Sequence, residues 1–360
     1  MDRRAFIGSA ALSLALPGCV AKPRPAALQT GCLPRVNVSA GRVIRTVAGL
    51  RPYRASGFVV RAEALGDKRL VHNYGHGGAG ITLSWGSSKL ATALGLQGHR
   101  GPVAVIGAGV MGLTTARLVQ EAGFPVTIYT EALPPHTTSN FAGGQISPFG
   151  HFDDGAVTPE WRAQFAAAMD YSWRRFQIMV GDDYGIRWLP TYQETRNVAR
   201  WQDRFHPEAR LLGPAEHPFP VESLVQYNTM YVETGRFLRE LTKDVQIAGG
   251  RIEVRRFNAP AQIEALPERL VFNCTGIGSR ALFGDRELHP IRGQMAVLLP
   301  QPEVRYAFAG SAGYMFPRAD GILLGGTFER HEWEATPQAA DIERIVESHR
   351  ALFAGFRCTG

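Results

Sequence analysis

Residues 103–112 read VAVIGAGVMG, and this stretch more than any other limits what the chain can fold into. An apolar run of strand type enters a glycine turn, and the turn opens a helical period over Val110–Glu121. A second strand follows from Pro125 to Tyr129, so the segment reads as a βαβ unit. The spacing G-x-G-x-x-G gives each glycine a separate role. Gly107 allows the tight turn, Gly109 lets a pyrophosphate approach the helix N-terminus, and Gly112 lets the helix pack on the strand. Ala108, Val110 and Met111 complete the loop. Glu131 stands nineteen residues after Gly112, where a carboxylate can accept a hydrogen bond from a ribose hydroxyl.

Such a unit normally opens a nucleotide-binding fold, yet here about a hundred residues precede it. With 360 residues, 45% of them hydrophobic, the chain can bury a sizeable core as two domains or one large composite α/β unit. Its 40 glycines recur in GHGGAG, GAGVMG, GGQ, CTGIG and LGG, a placement that favours backbone passing close to a ligand. The net charge of +7 is spread thinly, with neither a basic run nor a basic stripe interleaved with aromatic residues, which argues against nucleic-acid binding.

The first 32 residues have a character of their own. MDRRAFIGSAALSLALPGC combines a short basic start, a brief apolar run and a small-residue boundary, the pattern of an export signal, too short to span a membrane. Arg3-Arg4 followed by Phe6 resembles a twin-arginine signal, and Leu16-Pro17-Gly18-Cys19 resembles a lipobox that would lipidate Cys19. The alternative is an ordinary cleaved signal in which Cys19 has no such role. The expectation is export to the periplasmic side of the cell envelope, with a lipid anchor if Cys19 is modified.

Elsewhere the pattern predicts strands at Arg42–Val47 and RLVHNY, and a helix over ITLSWGSSKLATALGL with Ile81, Leu83, Trp85, Leu90, Leu94 and Leu96 as one buried stripe. An amphipathic helix is expected within 158–180, strands and loops over 186–232, and a glycine-closed helix at RFLRELTKDVQIAGG. RIEVRRF, RLVFNCTG, QMAVLLP, YMFPRA and GILLGG read as strands, and AADIERIVESHRALF as a final helix.

The glycine stretches together resemble the D-amino-acid oxidase family of FAD enzymes. HTTSNFAGGQISP at 136–148 is similar to that family's segment beneath the pyrophosphate and flavin, with Thr137, Thr138 and Ser139 as phosphate-side donors and Gly144, Gln145 and Ile146 beyond them. NCTG, with Cys274, Thr275 and Gly276, resembles its second cofactor-contacting strand end, and IRGQ at 291–294 the strand that follows. GLRPYR at 49–54 and HNYGHGGAGITLSWG at 72–86 are the most specific pieces; from the second, Gly77, Gly78, Ala79, Gly80, Ile81 and Thr82 would contact the cofactor.

The order is changed, because in the family the last two segments lie near the C-terminus. The resemblance therefore implies an α/β (α+β) chain in circularly permuted order, a Rossmann-type FAD-binding domain plus an antiparallel-sheet substrate domain, with QGHRGP at 97–102 joining the old ends. The implied segments are 1–32 signal and tether, 33–97 permuted segment, 98–150 start of the FAD domain, 151–245 substrate or cap domain, 246–290 FAD-domain strands, 291–330 substrate-domain strands and 331–360 helix and tail. An exported protein also admits disulfides, and Cys32 and Cys358 flank the new termini, so the permutation implies their pairing.

The chemistry implied by the resemblance is oxidative deamination of a D-amino acid by hydride transfer to FAD. Arg51 would hold the substrate carboxylate in a bidentate fork, Tyr314 would add a hydrogen bond, and the Gly78 backbone would receive the amino group. No side-chain base and no metal are required. His72 and His76 read as structural and Trp85 as packing. Gly310 stands where vertebrate members carry a lid tyrosine, and Arg292, near the pocket, would admit an acidic side chain. Oxygen or a membrane quinone would be the electron acceptor. The alternatives are an oxidase or dehydrogenase of a secondary or N-substituted amino acid, and a catalytically silent flavoprotein scaffold.

Overall fold

The glycine turn of residues 107–112 sits at the centre of a parallel sheet, as its strand and helix pattern requires. The computed structural model describes residues 32–147 and 151–357. The twin arginines and Cys19 lie outside the described residues, and so does Cys358, the expected partner of Cys32.

Numbered along the chain, β1 (Val43–Tyr53), β2 (Val59–Leu65) and β3 (Lys68–Tyr74) precede α1 (Gly80–Leu96). The glycine-turn unit is β4 (Val103–Ile106), α2 (Val110–Glu121) and β5 (Val126–Thr130). Next come α3 (Pro159–Ile178), β6 (Ile186–Glu194), β7 (Arg210–Leu212), β8 (Leu224–Val232), α4 (Thr234–Ile247) and β9 (Arg251–Val254). The short helices α5 (Pro260–Glu264) and α6 (Ser279–Phe283) flank β10 (Leu270–Asn273). The remainder is β11 (His289–Leu298), β12 (Ala307–Gly310), β13 (Gly313–Arg318), β14 (Gly321–Gly325), β15 (Glu329–Arg330) and α7 (Ala339–Ala354).

Two sheets result among the described residues. One has the order β2-β3-β10-β4-β5-β9, with β3, β10, β4, β5 and β9 parallel and β2 antiparallel at the edge. Its central strands β4 and β10 are buried at every residue, as parallel strands covered on both faces must be. The other follows β1-β11-β14-β13-β12-β6-β8-β7, with β15 also paired to β11, and every pairing antiparallel except β12 with β6. From Leu33 onward the described residues form one compact unit. β3, from the segment ahead of the glycine turn, supplies an inner strand of the parallel sheet beside β10.

Helix α1 differs from the single stripe expected of it. Residues 81–88 are buried on all sides, and Leu94 is exposed. The cause is close packing against two neighbours: a Cβ at Gly86 would lie 1.8 Å from the Ala168 carbonyl oxygen of α3. On the side of α2, hydroxyls replace apolar contacts, with Ser88 bonded to Thr114 at 2.9 Å and Thr115 donating to Ser88 at 2.9 Å. Helix α3 starts where its residues dictate. Thr158 caps it by accepting from the Trp161 N–H at 3.2 Å, and Pro159 needs no amide partner in the first turn.

Candidate functional site

A cavity of about 470 Å³ opens where the C-terminal ends of β3, β4 and β10 meet the face of the antiparallel sheet. The backbone hydrogen bonds that close this end are in place: Gly107 N–H donates to Tyr129 O at 2.7 Å, and Cys274 N–H to Ile106 O at 2.9 Å. Gly107 has a φ of +105°, and a Cβ there would lie 2.6 Å from the Cys274 carbonyl oxygen, so only glycine turns the chain here. A Cβ at Gly112 would meet the Gly107 carbonyl oxygen at 1.8 Å, which places that glycine in the helix-on-strand contact expected of it.

Helix α2 opens toward the cavity with no side-chain N-cap on Gly109 and no acidic residue in its first turn, leaving its positive end available to an anion. Gly107, Ala108, Gly109, Val110 and Met111 line the cavity, as do Thr137, Thr138 and Ser139. Ser139 Oγ accepts the Val110 N–H at 3.0 Å, bringing that hydroxyl to the helix terminus. Glu131 lines the far end, its carboxylate two-thirds exposed and 3.6 Å from the Arg256 guanidinium. Cys274, Thr275, Gly276, Gly77, Gly78, Gly80 and Ile81 complete this wall. A long cleft with a helix N-terminus and a glycine turn in its wall and an acid at the distal end suits a dinucleotide such as FAD.

Several expected contacts lie behind the wall rather than on it. Gly144 is packed against the Val232 carbonyl oxygen, where a Cβ would stand at 2.1 Å. Gln145 donates to the hydroxyls of Tyr227 and Tyr231, and Ile146 is core. Ala79 is core as well, and Thr82 donates to the Ser147 carbonyl at 3.1 Å. These residues fix the loop that carries the cavity's lining.

The end of the cavity nearest the antiparallel sheet is built by register. Arg51 on β1 faces Ile291 on β11, and Gly49 faces Gly293, while Met295 on β11 is opposite Gly325 on β14, itself opposite Tyr314 on β13. Directly opposed residues share a face, so these side chains look into one space. The two glycines make the floor. A Cβ at Gly293 would sit 2.2 Å from Arg51 Nη2, and one at Gly325 would sit 1.9 Å from Tyr314 Cζ, so Arg51 and Tyr314 lie flat over them. Arg51 Nη1 donates to the Thr327 carbonyl at 3.3 Å, and no carboxylate among the described residues pairs with it. Burial pushes the Tyr314 hydroxyl pKa up, opposed by the charge and hydrogen bond of Arg51. It is therefore a neutral donor near pH 7. Gly78, exposed to the cavity, completes the expected trio.

The histidines are structural. His72 bonds Glu63 at 2.9 Å and the Asn273 amide at 2.9 Å, and His76 bonds Ser87 at 2.9 Å while stacking on Phe58. Burial, then the charge of His151, pushes the His76 pKa down to about 3, which keeps the ring neutral. Glu131 is the one carboxylate among the described lining residues. Trp85 is packed under the Arg175 guanidinium, 4.5 Å from the ring centre. Gly310 ends β12 at a hairpin that Glu194 pins by accepting from Ser311 N–H at 2.6 Å. The expectation for Arg292 is corrected: it stands opposite Leu50, on the other face from Arg51, and Glu329 accepts two hydrogen bonds from it.

Sequence patterns did not single out Gly293 and Gly325 as a floor, nor Tyr74, His136 and Arg255 to Asn258 as lining. The doublets RGQ and LGG carried the first signal. The others needed the fold.

A sequence profile of the family described as FAD dependent oxidoreductase (DAO) matches residues 26–94 and 102–359. The D-amino acid oxidase of Dugesia ryukyuensis is 26% identical over 266 residues, 70% of this chain and 78% of its own. The D-aspartate oxidase of Homo sapiens is 28% identical over 263 residues, 69% and 75% of the two chains. The D-amino-acid oxidase of Streptomyces coelicolor is 30% identical over 269 residues, 71% and 80%. Among solved structures, the glycine oxidase of Geobacillus kaustophilus superposes with a TM-score of 0.55 at 16% identity, covering 73% of this chain and 81% of its own, a likeness of fold. With the profile spanning most of the sequence and the glycine turn, helix terminus and Glu131 gathered around one cleft, the chain belongs to the DAO family of FAD-dependent oxidoreductases.

Proposed function

We propose that this enzyme oxidises D-amino acids to the corresponding keto acids and ammonia. The observation that carries the reading is the Arg51–Tyr314 pair over the glycine floor of Gly293 and Gly325, beside the cofactor cleft. A planar guanidinium with no carboxylate partner among the described residues suits a substrate carboxylate held by two parallel hydrogen bonds, and the neutral Tyr314 hydroxyl adds a third donor. The Gly78 backbone carbonyl would accept from the amino group. Bound in the cleft, FAD would accept the hydride leaving the α-carbon as the amine becomes an imine, which water hydrolyses. What the chain itself supplies is a grip on the acid and amine that points the α C–H at the cofactor, and positioning of this kind needs no side-chain base.

Anaerobic mixing of the flavin-loaded protein with D- and L-amino acids tests this. Bleaching by D-isomers, with Arg51→Leu lowering the efficiency at least about 100-fold (roughly 3 kcal/mol), is the expected result. Turnover of secondary amines alone, or no bleaching by any amine, would reject it. Reoxidation with oxygen or a quinone then identifies the acceptor.

The same proposal includes the circular permutation, supported by the family profile matching in two segments on either side of 95–101. Leu33 and Phe356 pack in one core cluster, which supports pairing of Cys32 with Cys358. Resistance of both thiols to alkylation without reductant is the check. Export through the twin-arginine signal, with lipid on Cys19, remains part of the proposal on the N-terminal pattern, and loss of envelope fractionation in an Arg3→Lys, Arg4→Lys variant tests it.

A further inference from the structure

The sheet face that holds Arg51 carries a second arginine. Ile291 on β11 is opposite Arg51 on one side and Arg330 of β15 on the other, so both arginines project from the same face, one strand apart on either side of Ile291. The exposed ring of Phe328 lies between them, 5.7 Å from the Arg51 guanidinium and 5.5 Å from that of Arg330, which leaves the two charges no more than about 11 Å apart.

Their charges are open in a way that their neighbours' are not. Arg54, just past β1, and Arg292 on β11 are each locked to carboxylates at hydrogen-bond distance, with Asp285 and Glu287 on the first and Glu329 on the second. Among the described residues the one carboxylate near Arg330 is that of Asp153, at a loose 3.9 Å, and its Oδ1 already accepts the Tyr53 hydroxyl, which also meets the Arg330 guanidinium. Its guanidinium rests over the Tyr53 ring at 4.8 Å and its side chain is about half exposed, at 47%.

We propose that Arg330 is a specificity-determining residue that binds a side-chain carboxylate, making acidic D-amino acids the preferred substrates. This rests on the reading of D-amino-acid oxidation given above. Each guanidinium–carboxylate contact occupies roughly 3 Å between heavy atoms. Two such contacts within a span of at most about 11 Å match a substrate with two carbons between its carboxylates, as in aspartate, or three, as in glutamate. A neutral side chain there would leave Arg330 with its loose partner and gain nothing from its charge.

The test compares pairs of equal carbon number in the flavin-loaded protein without oxygen: D-aspartate against D-2-aminobutyrate, and D-glutamate against D-norvaline, reading the substrate concentration that half-saturates flavin reduction. The acidic member is expected to saturate at least about tenfold lower. Arg330→Gln is expected to cut that selectivity ratio about tenfold, Arg330→Lys to restore part of it, and Asp153→Asn to raise it by freeing Arg330. Calorimetry of succinate against butyrate, which needs no turnover, should show the same preference and the same loss in Arg330→Gln. Neutral D-amino acids bleaching the flavin with a ratio near one, or a ratio that neither Arg330→Gln nor Asp153→Asn moves, overturns the assignment of Arg330 and leaves the reaction standing. Absence of bleaching by every D-amino acid overturns the reaction, and the assignment with it.

Discussion

At the scale of single residues, the site depends as much on missing side chains as on present ones. Gly325 lets the Tyr314 ring lie where a Cβ would stand 1.9 Å from Cζ, and the ring has little freedom to retreat because it stacks on Phe316 at 4.6 Å. Gly325→Ala should therefore displace Tyr314, raising the half-saturating substrate concentration about tenfold or more while leaving bound flavin in place. Flavin content and substrate titration on the same preparation check this. Part of the logic was legible beforehand: Arg51 and Tyr314 were identifiable from GLRP and GYMFPR. Their support by Gly293 and Gly325 was not, because the glycines act across strands whose register no local pattern specifies.

At the scale of elements, the long helices and most strands fell where their sequence patterns placed them, but β1 runs on past the expected end at Val47 to Tyr53, and α5, α6, β12 and β15 were not expected. Helix α1 is the informative departure. Its apolar positions suggested one buried stripe, but it is wedged between α2 and α3, with hydroxyls of Ser88, Thr114 and Thr115 serving as packing surfaces that satisfy one another. Buried polar contacts of this sort cannot be read from hydrophobic periodicity, since periodicity records only apolar faces. Between α2 and β4 the constraint is sterically plain. Gly112→Ala would drive a methyl to 1.8 Å from the Gly107 carbonyl oxygen, which is backbone and cannot step aside without moving the glycine turn. The expected outcome is protein purified largely without flavin and destabilised by about 2–4 kcal/mol, measured by absorbance ratio and urea unfolding.

At the scale of the whole molecule, buried histidines are expected to make stability fall in acid. Burial lowers the pKa of His76 to about 3 and also lowers those of His72, His217 and His349. A group whose pKa is depressed in the folded state contributes stability above its unfolded value, near 6.5, that is lost as pH falls toward the folded one. The urea midpoint should thus decline as pH drops below about 6.5, at up to roughly 1.4 kcal/mol per unit for each such histidine. His76→Gln should flatten that decline in equilibrium unfolding measured between pH 7 and 4. The proposed permutation makes a second prediction at this scale. A chain reopened within 97–102, with a short linker joining residues 357 and 33, should fold and bind flavin, because the flanking residues Leu33 and Phe356 share one core. An insoluble or flavin-free product would count against it.

By itself the sequence determined the chemistry-bearing pieces: the glycine turn that needs backbone without side chains, the acid at the end of the next strand, and the arginine and tyrosine whose neighbours resemble a known family. These are local statements, decided within a few residues by sterics and hydrogen bonding. Tertiary structure alone decided which of them meet. Register across β1, β11 and β15 placed Arg330 on the face of Arg51 and turned Arg292 away to Glu329. Side chains alternate along a strand, so the face a residue occupies depends on pairing with segments more than two hundred residues distant in the chain, and no local pattern carries that information.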